Sequence, residues 1–138
     1  PDITGATDPE DPQEIDDVAR ACGAGVVRWP YKTLCCGGSQ LLAAPGVAAE
    51  ASARIVAMAR QAGADCIVTA CPMCHASLET NQWRRRRASD AAGDEHTPLP
   101  VLYLTELVGL ALGLPAAGGW LRRHLVDPRP GLRRREVL

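Results

Sequence analysis

The sequence predicts an α/β domain: Rossmann-like βα units around a mostly parallel sheet. Three observations carry this. Cys66-Ile67-Val68-Thr69-Ala70 is a run without alternation, as expected of a strand buried on both faces of a parallel sheet. Ahead of it, residues 47 to 62 place Ala48, Ala51, Ile55, Met58, Ala59 and Ala62 on one helical stripe. The strand-then-helix pattern then returns at Val101-Leu102-Tyr103-Leu104, with Thr105 placed to cap a helix through Leu112.

The remaining elements follow in chain order. Pro12 suits the first turn of a helix capped by Asp11, with Ile15, Val18, Ala19 and Cys22 on one face and Gly23 at its end. Val26-Val27-Arg28-Trp29 reads as a short strand stopped by Pro30, and Gly63 closes the helix of residues 47–62. A helix is expected from Pro72 to about Arg87, followed by a polar, glycine-containing mobile connection over residues 88–98. The whole of 1–138 reads as one domain, a size that supports a single core.

Composition removes several classes of function. The net charge of −1 makes no case for nucleic acid. Seven acids and no base lie between Asp2 and Asp17, whereas Arg84 to Arg87 and the stretch from Arg122 to Arg135 are rich in arginine. These arginines are read as a solvated helix face and a solvated tail. No apolar stretch approaches the roughly 20 residues needed to cross a bilayer, and no signal-peptide pattern is present, so the chain reads as soluble and cytoplasmic. In a reducing compartment its six cysteines are metal ligands or working thiols before they are structural disulfides. The chain opens on Pro1, which suggests a piece of something longer.

Chemistry concentrates at two foci, Cys35-Cys36-Gly37-Gly38 and Cys71-Pro72-Met73-Cys74-His75. Four thiols at two such tight foci point to metal or redox work. Cys71 follows the carboxyl end of one predicted strand and the Cys35-Cys36 pair lies in the loop after another, so both belong to the sheet edge where α/β proteins collect ligands. Pro72 at the first helical position puts Cys74 in the opening turn, where unpaired amides and the helix dipole favour thiolate. Gly37 and Gly38 let the backbone wrap closely around a bulky cofactor. Four cysteinates suit zinc or an iron–sulfur cluster, with a disulfide or thiol redox pair as a third reading. Zinc sites draw ligands from C-x(2–4)-C knuckles, whereas vicinal cysteines point apart and suit different irons of a multinuclear cluster.

These stretches carry a resemblance. Trp29 to Gly37, Ala64 to His75, Pro100 to Leu107 and His124 to Pro128, in that order, resemble the second cysteine-rich (CCG) domain of the family of CoB–CoM heterodisulfide reductase B subunits. The resemblance implies a noncubane [4Fe-4S] cluster held by Cys35, Cys36, Cys71 and Cys74, with Gly37 at the cofactor. It also implies reductive cleavage of a disulfide or related sulfur substrate within a complex, with flavin-containing and ferredoxin-like iron–sulfur subunits as partners. The family pattern needs one further cysteine upstream of the pair, which would fall before Pro1, and a first domain. On this reading the ligand set is incomplete and the fragment alone is inactive. The alternatives are a non-catalytic electron-transfer subunit of a lactate/glycolate-type oxidoreductase and a structural zinc module.

Each neighbouring residue has a plainer competitor. His75 is a candidate proton donor or hydrogen-bond partner to a cluster sulfide, against a partly exposed helix residue. Lys32 offers charge to an anionic substrate, but reads more simply as a solvated lysine. Cys22 and Cys66 read as small core residues. Trp29 and Tyr31 read as packing around the cysteine loop, and no chemistry is expected of His96 or His124.

Overall fold

The computed structural model describes residues 8–92 and 98–134. Its elements are α1 (Glu14–Ala21), a 3-10 turn (Gly38–Gln40), α2 (Pro45–Gln61), β1 (Ile67–Thr69), α3 (Pro72–Ala92), β2 (Val101–Tyr103), α4 (Leu104–Ala111), α5 (Ala117–Trp120), a second 3-10 turn (Leu121–Arg123) and α6 (Arg129–Arg134). β1 and β2 pair in parallel, Ile67 opposite Val101 and Thr69 opposite Tyr103, with α3 as the crossover. This is an α/β domain built on one βαβ unit.

Among the described residues each strand has one neighbour, and both are short. Ile67 is buried while Val68 and Thr69 are half-buried, so β1 is not covered on both faces as its apolar run suggests. Val26 to Trp29 is no strand. Val26 and Val27 are only half-buried, and Pro30 offers no ladder donor to continue them; the chain turns at once, with the Leu34 N–H on the Tyr31 carbonyl.

Helix ends also differ from expectation. α1 starts at Glu14 behind Gln13, because Asp11 is engaged elsewhere: its carboxylate lies 2.7 Å from Lys32 Nζ. Lys32 also pairs with Asp16 and is 12 % exposed, so it is a staple between α1 and the cysteine loop and not a solvated lysine. Thr105 sits inside α4, and the cap is made in reverse: the Glu106 carboxylate reaches back 2.9 Å to accept the Tyr103 N–H. Gly63 closes α2 as expected, at φ 81°. The connection expected at 88–98 begins later, since α3 runs to Ala92; residues 93–97 lie outside the described residues.

α2 packs on α3. Its buried residues are Ala48, Ser52, Ile55, Val56 and Ala59, so the inward stripe is rotated from the one read in sequence and takes in a serine. Cys36, Ile55, Val56, Ala59, Ile67, Leu78, Leu99 and Val101 form one core, with Trp29 and Cys74 against it. Gln82 ties α3 to the approach of β2, accepting the Leu99 N–H at 2.7 Å and donating to the Leu99 carbonyl at 2.9 Å. Arg122, Arg123 and Arg133 are exposed, as expected, but the segment that carries them is docked and not a free tail: Leu121, Val126 and Pro128 are buried.

Candidate metal centre

The Cys35-Cys36 loop is held by glycine geometry and by hydroxyls. Gly37 adopts φ 71°, and a Cβ there would stand 2.8 Å from Ala48 Cα in α2. A Cβ on Gly38 would stand 2.9 Å from the Met73 carbonyl and 3.3 Å from Cys36 Sγ. Both positions need glycine for the loop to lie between α2 and the start of α3. The Cys36 carbonyl accepts the hydroxyls of Ser52 at 3.1 Å and Ser77 at 3.0 Å. The two hydroxyls also lie 3.1 Å from each other, so their two protons are shared among this contact and the carbonyl, and the Asn81 amide donates to the two serine oxygens at 3.0 and 3.4 Å. The set is buried and satisfied.

The second focus is placed by the end of β1. Cys71 lies just beyond the strand, its N–H donating to Thr69 Oγ1 at 3.2 Å, and its carbonyl accepts the His75 N–H at 3.0 Å in the first turn of α3. Cys74 lies beside both Cys36 and Cys71. The two foci therefore meet, bringing Cys36, Cys71 and Cys74 together. Cys35 is exposed on the loop, with its sulfur accepting the Gly37 N–H at 3.4 Å.

The thiolate preference is the reverse of that expected. The Cys74 amide and thiol, with the Met73 amide, hydrogen-bond the Cys71 sulfur and hold its pKa below the ordinary thiol value. Burial, followed by the Cys36 and Cys71 sulfurs, pushes Cys74 up to about 12. Burial and Asp65 also raise Cys66, in keeping with a small, partly buried packing residue. Among the described residues, the group of three ligating side chains that comes within 4.8 Å is His75, Glu106 and His124, not the thiols.

His75 is buried, not partly exposed. Its Nε2 lies 3.1 Å from the Val101 carbonyl and its ring stacks on Tyr103 at 4.0 Å. Burial holds it below the ordinary histidine pKa. His124, to which sequence reasoning gave no chemistry, is sandwiched between carboxylates: Nδ1 lies 3.0 Å from Glu79 Oε1 and Nε2 2.9 Å from Glu106 Oε1. Burial alone would lower its pKa, but the two carboxylate hydrogen bonds prevail and raise it to about 9. Glu79 also accepts the Leu125 and Val126 N–H groups, fastening the C-terminal segment to α3. The one local signal for this group was the i, i+4 spacing of His75 and Glu79.

Thiols gathered at the carboxyl end of a parallel βαβ unit, beneath a double-glycine loop, define a cysteine-rich domain. The chain belongs to the cysteine-rich (CCG) domain family, whose sequence profile matches residues 3–79. It is 36 % identical over 107 residues to the B subunit of the ferredoxin/F(420)H(2)-dependent CoB-CoM heterodisulfide reductase of Methanosarcina acetivorans, an overlap covering 75 % of this chain and 34 % of that protein. With the B subunit of the ferredoxin:CoB-CoM heterodisulfide reductase of Methanosarcina mazei it shares 34 % identity over 113 residues, 77 % of this chain and 35 % of that one. With the 8-methylmenaquinol:fumarate reductase membrane anchor subunit of Wolinella succinogenes it shares 32 % over 116 residues, 84 % and 39 %. The chain thus spans between a third and two-fifths of these relatives. Among the described residues no helix is long and apolar enough to cross a membrane.

Proposed function

We propose that this chain is an iron–sulfur domain of a heterodisulfide reductase-like complex, acting on a disulfide or related sulfur substrate at a noncubane [4Fe-4S] cluster. The convergence of Cys36, Cys71 and Cys74 beneath a loop that only glycine can form carries the reading. The donor set fits such a group: three neighbouring sulfurs and a fourth on the same loop, enough thiolates for a multinuclear cluster. Cys35, Cys36, Cys71 and Cys74 would hold the cluster, with the Gly37 backbone against it. When bound, the cluster supplies electrons to the sulfur substrate.

The chain's own residues supply the rest. Cys71, exposed and biased to thiolate, is ready to ligate without prior deprotonation. Ser52, Ser77 and Asn81 fix the carbonyl of Cys36, and so the backbone from which its sulfur projects. His75 is held by Val101 and Tyr103 directly after Cys74, where it positions the α3 opening turn. Flavin-containing and ferredoxin-like iron–sulfur subunits are the expected partners, the cytoplasm the expected compartment.

Likeness to the fumarate reductase anchor subunit favours one second reading: an electron-transfer iron–sulfur subunit with no sulfur substrate of its own. Anaerobic reconstitution of the full polypeptide with iron and sulfide, followed by EPR with and without added thiols, separates the readings. Iron and acid-labile sulfide lost on Cys36→Ser or Cys74→Ser, with a signal altered by thiol, is the expected result. A thiol-insensitive signal selects electron transfer, and zinc without iron or sulfide overturns both.

A further inference from the structure

The His75, Glu79, Glu106 and His124 group lies apart from the four thiols in role, and borders a cleft of about 570 Å³ lined also by Tyr103, Trp120 and Arg123. From its geometry we propose a second, mononuclear site for a divalent first-row metal ion, with His75, His124 and Glu106 as ligands and Glu79 as the outer carboxylate that orients His124.

The ligand atoms lie close enough for a small side-chain adjustment to close them on one ion. One atom from each of His75, Glu106 and His124 lies within 4.8 Å of the others. His124 Nε2 and Glu106 Oε1 are 2.9 Å apart, and two ligands each about 2.1 Å from one metal at roughly a right angle are about 3.0 Å apart. The ion would take the place of the proton these two atoms share. Two histidines and one carboxylate with open positions toward a cleft, spaced for near-right angles at the ion, suit ferrous iron.

The outer contacts are those of a metal site. The Val101 carbonyl can only accept, so His75 Nε2 carries its proton and Nδ1 keeps the lone pair. Nδ1 is 3.9 Å from Glu79 Oε2, beyond hydrogen-bond reach. His124 Nδ1–H donates to Glu79, whose other oxygen is held by the Leu125 N–H at 3.1 Å. Ligating histidines in general donate their second N–H to a carbonyl or carboxylate in this way. Charge points the same direction. Glu79 and Glu106 are buried at 3 % and 8 % exposure, and one imidazole, His124, is shared between the two carboxylates. A divalent ion would offset the second carboxylate.

The test uses cobalt(II) as the probe, titrated anaerobically and without sulfide into the full chain carrying Cys35→Ser, Cys36→Ser, Cys71→Ser and Cys74→Ser. Expected is one cobalt per chain with d–d absorption of nitrogen and oxygen coordination and no sulfur-to-cobalt charge transfer. Glu106→Gln should abolish it, and Glu79→Gln should weaken it about 10- to 100-fold through loss of the outer carboxylate. Cobalt binding that is absent or indifferent to both substitutions overturns the proposal and leaves Glu79–His124–Glu106 a structural ion triad. If the serine variant does not fold by circular dichroism, the parent chain gives the same decision. There, charge transfer marks the thiolates, and Glu106→Gln must remove the sulfur-free bands while leaving the charge-transfer band. Because these readouts do not depend on a cluster, they can fail while the iron–sulfur reading stands, and the reverse.

Discussion

Gly37→Ala tests whether the cysteine loop depends on close approach to α2 or only on backbone freedom. Gly37 and Gly63 both have positive φ, 71° and 81°, but differ in surroundings. At Gly63 a Cβ meets nothing within 4 Å, so alanine costs only the left-handed conformation, about 1–2 kcal/mol. At Gly37 the Cβ would lie 2.8 Å from Ala48 Cα and 3.3 Å from Ala51 Cβ. Ala48 is fully buried and its Cα belongs to a helix that cannot swing aside. Overpacking of this kind adds about 1–3 kcal/mol, for a total of about 2–5 kcal/mol at Gly37. Urea unfolding of the metal-free full chain, compared across wild type, Gly37→Ala and Gly63→Ala, reads the difference. Iron incorporation should fall in Gly37→Ala and persist in Gly63→Ala, since only the first moves the neighbouring Cys36. Equal stability losses, or unimpaired iron loading in Gly37→Ala, would refute the close-approach argument.

Two further outcomes follow from the site. Ser52→Ala or Ser77→Ala alone should cost about 1 kcal/mol, because one hydroxyl still serves the Cys36 carbonyl; the double substitution should exceed the sum, since a buried carbonyl left without a donor costs about 1–3 kcal/mol. A double-mutant cycle by urea unfolding checks this, and strict additivity would contradict it. In the metal-free chain, Cys71 should alkylate well before Cys74 at neutral pH. Its depressed pKa populates thiolate below the ordinary thiol range, whereas Cys74, pushed up to about 12, gains thiolate only as pH approaches that value. Peptide mapping after brief iodoacetamide treatment across a pH series gives the order, and faster labelling of Cys74 would reverse the assignment.

Elements with a strong local period were legible in the sequence. The apolar runs at Ile67 and Val101 are strands, α2 lies where helical spacing puts it, and α3 starts at Pro72, as a proline in the first helical position predicts. Val26 to Trp29 has strand composition, yet a strand exists only when another offers a ladder, and composition does not supply the partner. The cysteines were legible because their spacing is local and their chemistry is narrow. Ser52, Ser77 and Asn81 were not, because polar residues on a helix read as its solvent face until a buried acceptor is known. His124 was missed for a different reason. Its partner Glu79 is 45 residues away, and no periodicity reports a pairing at that distance.

The first half of α3 explains why two polar groups lie side by side in so small a domain. Cys74, Ser77, Leu78 and Asn81 lie toward α2 and the cysteine loop, while His75, Glu79 and Gln82 reach β2 and the C-terminal segment. Between His75 and Gln82 every residue is buried or half-buried, and exposure begins at Trp83. A helix covered on all sides cannot leave a polar group to water, so each must find a protein partner or bind a ligand. The turn that carries Cys71 and Cys74 is therefore fixed from three directions: by Thr69 at the strand end, by Val101 through His75, and by the Cys36 carbonyl through Ser77. Rigidity at the thiols and polarity in the core are consequences of the same burial, and a substitution that relieves one of these contacts should loosen the sulfur geometry before it unfolds the chain.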